Sequence, residues 1–289
     1  MQMRRIITAI FLTFTLAMAS CSSLTHASTT ATAQTVVTKT ISAMNHIKSF
    51  NLDTDIINTY KITGSSRTDT TEWKGTKLIN VSNQEMGMDM RIPEEISGSN
   101  INATLEMYFK EGKEYLKTLA TGLYQQNPWT VTQLDDISWK HETQIPYLTE
   151  ILKNGIEFSL LDNEKINGID CYVLTVTPSI QSAIDFAVSQ EQPFGTQIDV
   201  MSGGGIPVVR PDAYRSGSIK LWIDRNSNLP VKVEVNIDFQ GNVGGGMITS
   251  TPYTPTTNPV DSSFQGQLNF SNYNQAVTIQ VPEEAFGAK

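Results

Sequence analysis

Hydrophobic and polar residues alternate along much of this chain from Ser49 onward. The clearest stretch runs from Val231 to Phe239, where every odd position is apolar and every even position is charged or polar. A period of two is typical of a β-strand with one buried and one solvated face. The same period predicts further strands around residues 103–109, 172–176, 219–223 and 277–281.

Short polar turns separate the predicted strands. Lys110–Lys113, Asn163–Gly168 and Asp224–Pro230 have the composition of hairpin connections. Strands joined by hairpins run antiparallel, so these turns predict an antiparallel sheet. Two longer stretches, Pro193–Tyr214 and Gly241–Pro259, each contain a triple glycine and are predicted to be functional covers or disordered insertions.

Three segments have the spacing of helices instead. Residues 34–47 place Val37, Ile41 and Met44 on one apolar stripe. Thr143–Lys153 and Ser179–Ser189 are the other two predicted helices, and Ser179 is the expected N-cap of the last one.

A sheet with one apolar face must bury that face against other elements. Roughly ten strands and three short helices predict an α+β protein that is mainly antiparallel β. A strongly curved sheet wrapped over the helices, which is an incomplete, half-open β-barrel with covering helices, meets this requirement and leaves space inside. A closed barrel or a sandwich also fits the pattern.

The first twenty residues have the layout of a secretory signal peptide. Arg4 and Arg5 precede an apolar stretch, Ile6–Leu16, that is too short to span a membrane as a helix. Met18–Cys21 resembles the bacterial lipobox, in which the cysteine thiol is acylated, with chains such as palmitate, and becomes the mature N-terminus. An ordinary signal peptide cleaved after residues 17–19 is the alternative.

Acylation of Cys21 leaves Cys171 without a disulfide partner in the chain. Cys171 falls inside a predicted strand, where a lone thiol is typical of a buried structural residue. The predicted organisation is therefore a signal peptide (1–20), a flexible tether from the lipidated cysteine (21–34) and a single domain (35–289).

The protein is acidic. Its formal charge is −8, and loss of the signal peptide, which carries two arginines and no acidic residue, makes it −10. A protein of this charge has no general attraction to nucleic acid or to anionic lipid surfaces, so no nucleic-acid partner is predicted. Attachment to a membrane is expected through acyl chains.

The sequence contains no recognisable catalytic motif. His26, His46 and His141 are far apart in the sequence, and no nucleophile elbow, zinc-protease helix or phosphate-binding loop occurs. The predictions are therefore no enzyme activity, no metal and no cofactor.

Methionines are concentrated in one predicted strand, where Met86, Met88 and Met90 share a face. Ordinary core packing is one interpretation. The other is an apolar lining that adapts to ligands of varied shape, because thioether side chains repack easily. The predicted lining is Met86, Met88, Met90, Leu105, Met107, Val233, Val235 and Ile237.

The order of these parts resembles a known group. A lipobox and polar tether are followed by "ISAMNHIKSF", "GIDCYVLTVTP", "IKLWIDRNSNLPVKVEV" and "VTIQVPEEA". This order is similar to that of the LolA-like lipoprotein carrier superfamily, in particular its lipid-binding lipoproteins of the LppX and LprG type. The resemblance implies an incomplete antiparallel β-barrel with helices on its concave side and an apolar cavity that receives acyl chains.

The predicted function is that of an exported lipoprotein, anchored to the outer face of the cell membrane or to the outer membrane. It would bind a lipid or acyl chain in an apolar cavity for transport through the cell envelope. The alternative is a sensory or interaction module that uses the same fold to bind an envelope protein partner. An enzyme without a recognisable motif is the third hypothesis.

Overall fold

The structure is a computed structural model that describes residues 31–62, 68–96, 99–120, 129–134, 136–195, 214–242 and 259–287. The predicted signal peptide, Cys21 and most of the tether lie outside these residues, as do both triple glycines. The described residues from Thr32 onward form one compact unit.

In the described residues, eleven antiparallel strands form one sheet. They are β1 (Ser49–Ile62), β2 (Thr68–Asn80), β3 (Glu85–Ile96), β4 (Ser99–Lys110), β5 (Lys113–Ala120), β6 (Thr130–Gln133), β7 (Glu157–Ile166), β8 (Ile169–Thr177), β9 (Tyr214–Asp224), β10 (Pro230–Asn242) and β11 (Pro259–Ser271). The order across the sheet is β6-β5-β4-β3-β2-β1-β11-β10-β9-β8-β7. Pairing of β1 with β11 joins two meanders at the centre of the sheet.

The described part of the chain also contains four α-helices. They are α1 (Ala33–Met44), α2 (Asp136–Thr143), α3 (Ile145–Asn154) and α4 (Ile180–Gly195), and a short 3₁₀ helix follows at Glu283–Gly287. Within the described residues β6 and β7 end the sheet on opposite sides and do not pair, so the sheet is open. An open antiparallel sheet with covering helices confirms the predicted fold class.

The alternation that predicted the strands corresponds to one buried face. On β10, Val233, Val235, Ile237 and Phe239 are all buried, and the residues between them are polar. We call the face on which these residues lie, and against which helices pack, the inner face. The predicted hairpin turns are also correct, because Asn167 and Gly168 both have positive φ where β7 turns into β8.

A capping hydrogen bond explains one helix boundary, and a left-handed residue explains another. The Ser179 hydroxyl accepts a hydrogen bond from the Ser182 backbone N–H at 3.2 Å, which confirms Ser179 as the N-cap of α4. The predicted helix from Thr143 is displaced, because α3 begins only at Ile145. Gln144, with φ of 61°, separates α3 from α2, a helix that the sequence analysis did not predict.

The strand predicted at residues 277–281 is wrong. This segment is extended, and Ile279 and Val281 are buried in alternation, but it joins no strand ladder. The Ile279 carbonyl instead accepts a hydrogen bond from Lys110 Nζ at 2.7 Å. Val281 packs with Tyr115 and Trp129, which lie on the side of β5 and β6 away from the inner face. The alternation in this segment therefore reflects burial of one of its sides, and it does not indicate pairing with another strand.

Gly75 on β2 provides a test of the sheet geometry. A Cβ atom at this position would lie 2.8 Å from the Asp89 carbonyl oxygen on β3, and a backbone atom cannot move aside easily. We expect Gly75→Ala to lower the free energy of unfolding by about 1–3 kcal/mol, as measured by urea denaturation. Gly287→Ala is the matched control, because nothing lies within 4 Å of its added Cβ. Equal effects of the two substitutions would contradict the close approach of β2 and β3.

Candidate ligand-binding site

The predicted methionine lining forms a cluster on the inner face. Met86, Met88 and Met90 on β3 are each no more than 4% exposed. They lie directly opposite Phe109, Met107 and Leu105 on β4, in that order. The pairs form one apolar layer, which we call the methionine cluster, consisting of these six residues.

The valines and the isoleucine predicted on β10 lie on the same face. Directly opposed residues of an antiparallel sheet point to the same side. One row of such residues crosses six strands from Val233 to Leu105, through Leu268, Thr54, Gly75 and Met90. The structure therefore brings all eight predicted lining residues to the inner face, where every one is buried.

Lys77 is a charged residue inside this apolar layer. It lies on β2 between Leu52 of β1 and Met88 of β3 in the register of the sheet. Its Nζ donates to the Glu142 carboxylate at 2.5 Å and to the Glu142 carbonyl oxygen at 3.1 Å. The two side chains are 4% and 5% exposed. Removal of one partner from such a buried pair costs about 3–5 kcal/mol, because the other charge is left uncompensated.

Helix α2 contacts the inner face through two side chains. Glu142 binds Lys77, and the Trp139 ring lies 6.2 Å from the Phe109 ring, measured between centroids. Trp139 and Glu142 are three residues apart and therefore lie on the same side of the helix. These contacts hold α2 against the strands that carry the methionine cluster.

Helix α4 covers the opposite half of the inner face. The Phe186 ring packs edge-on against Phe264 of β11 at 6.1 Å, and Ala183 and Ala187 on the same helix are buried. Helices α1 and α3 complete the layer, with α3 in contact with α1, α2 and α4. The inner face is thus buried by helices rather than by a second sheet.

A cleft of about 600 Å³ opens in this helical layer, where α2 and α3 meet the end of α1 and the start of α4. Its volume lies within the range of small-molecule sites, which is about 300–1,000 Å³. The cleft is lined by Met44, Asn45, Ile47, Val81, Trp139, Lys140, Thr143, Ile145, Pro146, Tyr147, Thr149, Glu150, Lys153, Ser182 and Asp185.

Trp139 lies between the cleft and the inner face. It lines the cleft, and its ring also contacts Phe109, a member of the methionine cluster. The eight residues predicted from the sequence do not line the cleft themselves. The sequence analysis missed this opening because segments that are distant in the chain form it.

Polar groups at the cleft are mostly engaged with one another. Glu150 accepts hydrogen bonds from Lys153 at 2.8 Å and from Asn154 at 2.9 Å, and the Lys153 contact lowers the pKa of the Glu150 carboxyl. Asp185 accepts a hydrogen bond from Gln181 at 2.7 Å. Burial, reinforced by the nearby carboxylates of Asp185 and Glu142, raises the pKa of Tyr147 to about 12.

Among the described residues there is no group of three or more His, Cys, Asp or Glu side chains that could hold a metal ion. Cys171 is a free thiol, fully buried, and burial raises its pKa, which disfavours the reactive thiolate. In the same part of the chain no helix has the length and apolar character needed to cross a membrane.

Comparison with known proteins returned matches among solved structures. No family model matches the chain, and no curated protein matches it. LprF from Mycobacterium bovis aligns with 9% identity and a TM-score of 0.49 over 86% of this chain and 96% of LprF. The lipoprotein LppX from Mycobacterium tuberculosis aligns with 13% identity and a TM-score of 0.39 over 86% and 97%.

A third match is a putative outer membrane lipoprotein-sorting protein domain from Vibrio parahaemolyticus, with 11% identity and a TM-score of 0.24 over 84% of this chain and 92% of that one. The resemblance to LppX-type and lipoprotein-sorting proteins noted in the sequence is thus confirmed as a resemblance. These matches do not identify a ligand of this chain.

The pKa of Tyr147 predicts how stability changes at high pH. Below pH 10 the phenol is protonated in both states, and between about pH 10 and 12 the unfolded chain loses the proton first. The free energy of unfolding should therefore fall over this interval, and it should fall less steeply in Tyr147→Phe. Urea denaturation at a series of pH values measures both slopes. Identical slopes would contradict a partly buried, protonated phenol at the cleft.

Proposed function

We propose that this protein is an exported lipoprotein that binds a hydrophobic or amphiphilic ligand, a lipid or an acyl chain, and carries it within the cell envelope. The observation that supports the proposal is the position of the cleft. It opens in the helical layer, and its Trp139 wall separates it from the methionine cluster. An acyl chain entering the cleft would pass Trp139 to reach the largest group of adaptable apolar side chains on the inner face.

Burial of apolar surface supplies the affinity in this proposal. Each buried methylene group contributes about 0.8 kcal/mol, so a chain of moderate length binds without any covalent step. Methionine side chains have three rotatable bonds and accommodate chains that differ in shape. The protein therefore acts as a carrier and not as an enzyme.

Lipidation of Cys21 anchors the carrier to a membrane in this proposal. Two or more acyl chains hold a protein firmly, whereas a single chain binds only marginally. Residues 21–34 would serve as the tether, which lets the domain reach a donor or acceptor away from the anchor. The acidic domain itself has no electrostatic attraction to anionic lipid.

Obstruction of the cleft tests the carrier function. Asn45 lines the cleft and is exposed, so Asn45→Trp places a large ring in the opening without removing a core contact. We expect the substitution to weaken binding of a fluorescent fatty acid to the delipidated protein by about tenfold or more. Asn226→Trp, at an exposed turn between β9 and β10, is the matched control and should bind as the wild type does.

No uptake of the fatty acid by the wild type would contradict the carrier function. Recognition of an envelope protein partner would then be the better hypothesis. Equal binding by Asn45→Trp and Asn226→Trp would show that the ligand enters elsewhere.

Counting thiols tests the lipid anchor separately. If Cys21 is acylated, the mature protein purified from its membrane should show one titratable thiol after unfolding, that of Cys171. Thiol titration in denaturant measures this number, and Cys171→Ser should reduce it to zero. A count of zero for the wild type would indicate a disulfide between the two cysteines, and a count of two would indicate no acylation.

A further inference from the structure

Lys77 has no evident packing reason to lie on the inner face. Its row neighbours Leu52 and Met88 are apolar and buried, and its ammonium group is paired with Glu142 of α2. Two apolar side chains of similar volume would stabilise the protein at least as well, because a buried ion pair rarely recovers the cost of desolvating both charges. A lysine inside an acyl-binding layer calls for a different explanation.

The partner of Lys77 belongs to an element that can be displaced. Helix α2 has eight residues and joins α3 through Gln144 alone. The φ of Gln144 is 61°, in the left-handed region that residues with a Cβ atom adopt at a cost, and a hinge can absorb a change of φ and ψ at such a position.

Movement of α2 would also join the cleft to the methionine cluster. Trp139, Lys140 and Thr143 of α2 line the cleft, while Trp139 and Glu142 contact the inner face. When α2 moves away from the sheet, the cleft opens onto the methionine cluster and Lys77 loses its carboxylate partner. A buried ammonium group without a partner is unfavourable, so this opening is favoured only when another anion replaces Glu142.

We propose that Lys77 binds the carboxylate head of an amphiphilic, fatty-acid-like ligand, and that Glu142 occupies this position in the ligand-free protein. The Glu142 carboxylate lies 2.5 Å from the Lys77 ammonium and shows that a carboxylate is accommodated there. The acyl chain then lies along the methionine cluster, beginning at Met88, the direct neighbour of Lys77. This assignment rests on the carrier function proposed above and adds the chemical class of the ligand.

A pair of probes that differ only in charge tests the role of Lys77. Dansyl-labelled undecanoic acid and its methyl ester have the same chain, and only the acid carries a carboxylate. We expect the wild-type mature chain to bind the acid about tenfold or more tightly than the ester, as measured by fluorescence titration. The variant Lys77→Met with Glu142→Leu should bind the two probes equally.

The substitutions are made together because either one alone leaves a buried charge without its partner and destabilises the fold. The double variant should melt at or above the wild-type temperature by circular dichroism, which establishes that it is folded. Glu142→Gln provides a further variant, which keeps Lys77 and replaces the competing carboxylate by an amide whose oxygen can still accept a hydrogen bond from the ammonium group. The same melting curve must show that this variant is folded at the assay temperature. The variant should bind the acid more tightly than the wild type does.

Lys39→Met is the matched control, since it removes an exposed lysine of α1 that does not line the cleft. It should keep the preference for the acid. A preference that survives in the double variant, or that disappears in Lys39→Met, would overturn the assignment of Lys77. Equal binding of both probes by the wild type would refute the role of Lys77 alone, whereas binding of neither probe would refute the carrier function itself.

Discussion

Burial of one broad sheet face under short helices is the constraint on which the rest of this structure depends. No single helix can cover a sheet of this width, so different helices cover different parts of its inner face. Helix α4 covers the half containing β11 through Phe186, and α2 covers the half containing the methionine cluster through Trp139 and Glu142. A helical layer built from separate short pieces has junctions, and the cleft lies at one of them.

Different interactions attach α4 and α2 to the two halves of the inner face. Contacts of α4 are apolar, with Phe186, Ala183 and Ala187 buried against the sheet. Contacts of α2 include a buried ion pair, whose strength depends on geometry and on the exclusion of water. Separation of α4 from the sheet would expose apolar surface, whereas separation of α2 would also leave the buried charge of Lys77 without its partner.

Most of the sheet could be predicted from the sequence, because alternation is a direct consequence of one buried face. The prediction succeeded on β10 and at the hairpin turns, where the pattern and the turn chemistry agree. It failed for residues 277–281, where burial of alternate residues occurs without strand pairing. It also could not find α2, because the inward side chains of that helix include a glutamate, so no apolar stripe marks it.

Lys77 and Leu78 show why the site itself was harder to predict. The alternation along β2 places Lys77 inside, with Trp73 and Ile79, and leaves Leu78 44% exposed on the other face. From hydropathy alone, Leu78 would be assigned to the inner face and Lys77 to the outer face. Only the register with β1 and β3, which is a property of the folded sheet, reveals that the lysine points inward.

The outer face of the sheet is covered independently of the helices. Trp222 packs with Cys171 and Val173, donates a hydrogen bond to Glu164 at 2.8 Å, and lies beneath the ammonium groups of Lys220 and Lys232. At the other end the segment containing Val281 and Ala285 packs against Tyr115 and Trp129. These contacts involve strands and the C-terminal segment with its 3₁₀ helix, and none of them involves an α-helix. The displacement of α2 proposed above would therefore leave the outer clusters intact, so the sheet would serve as a rigid support during the proposed entry of a ligand.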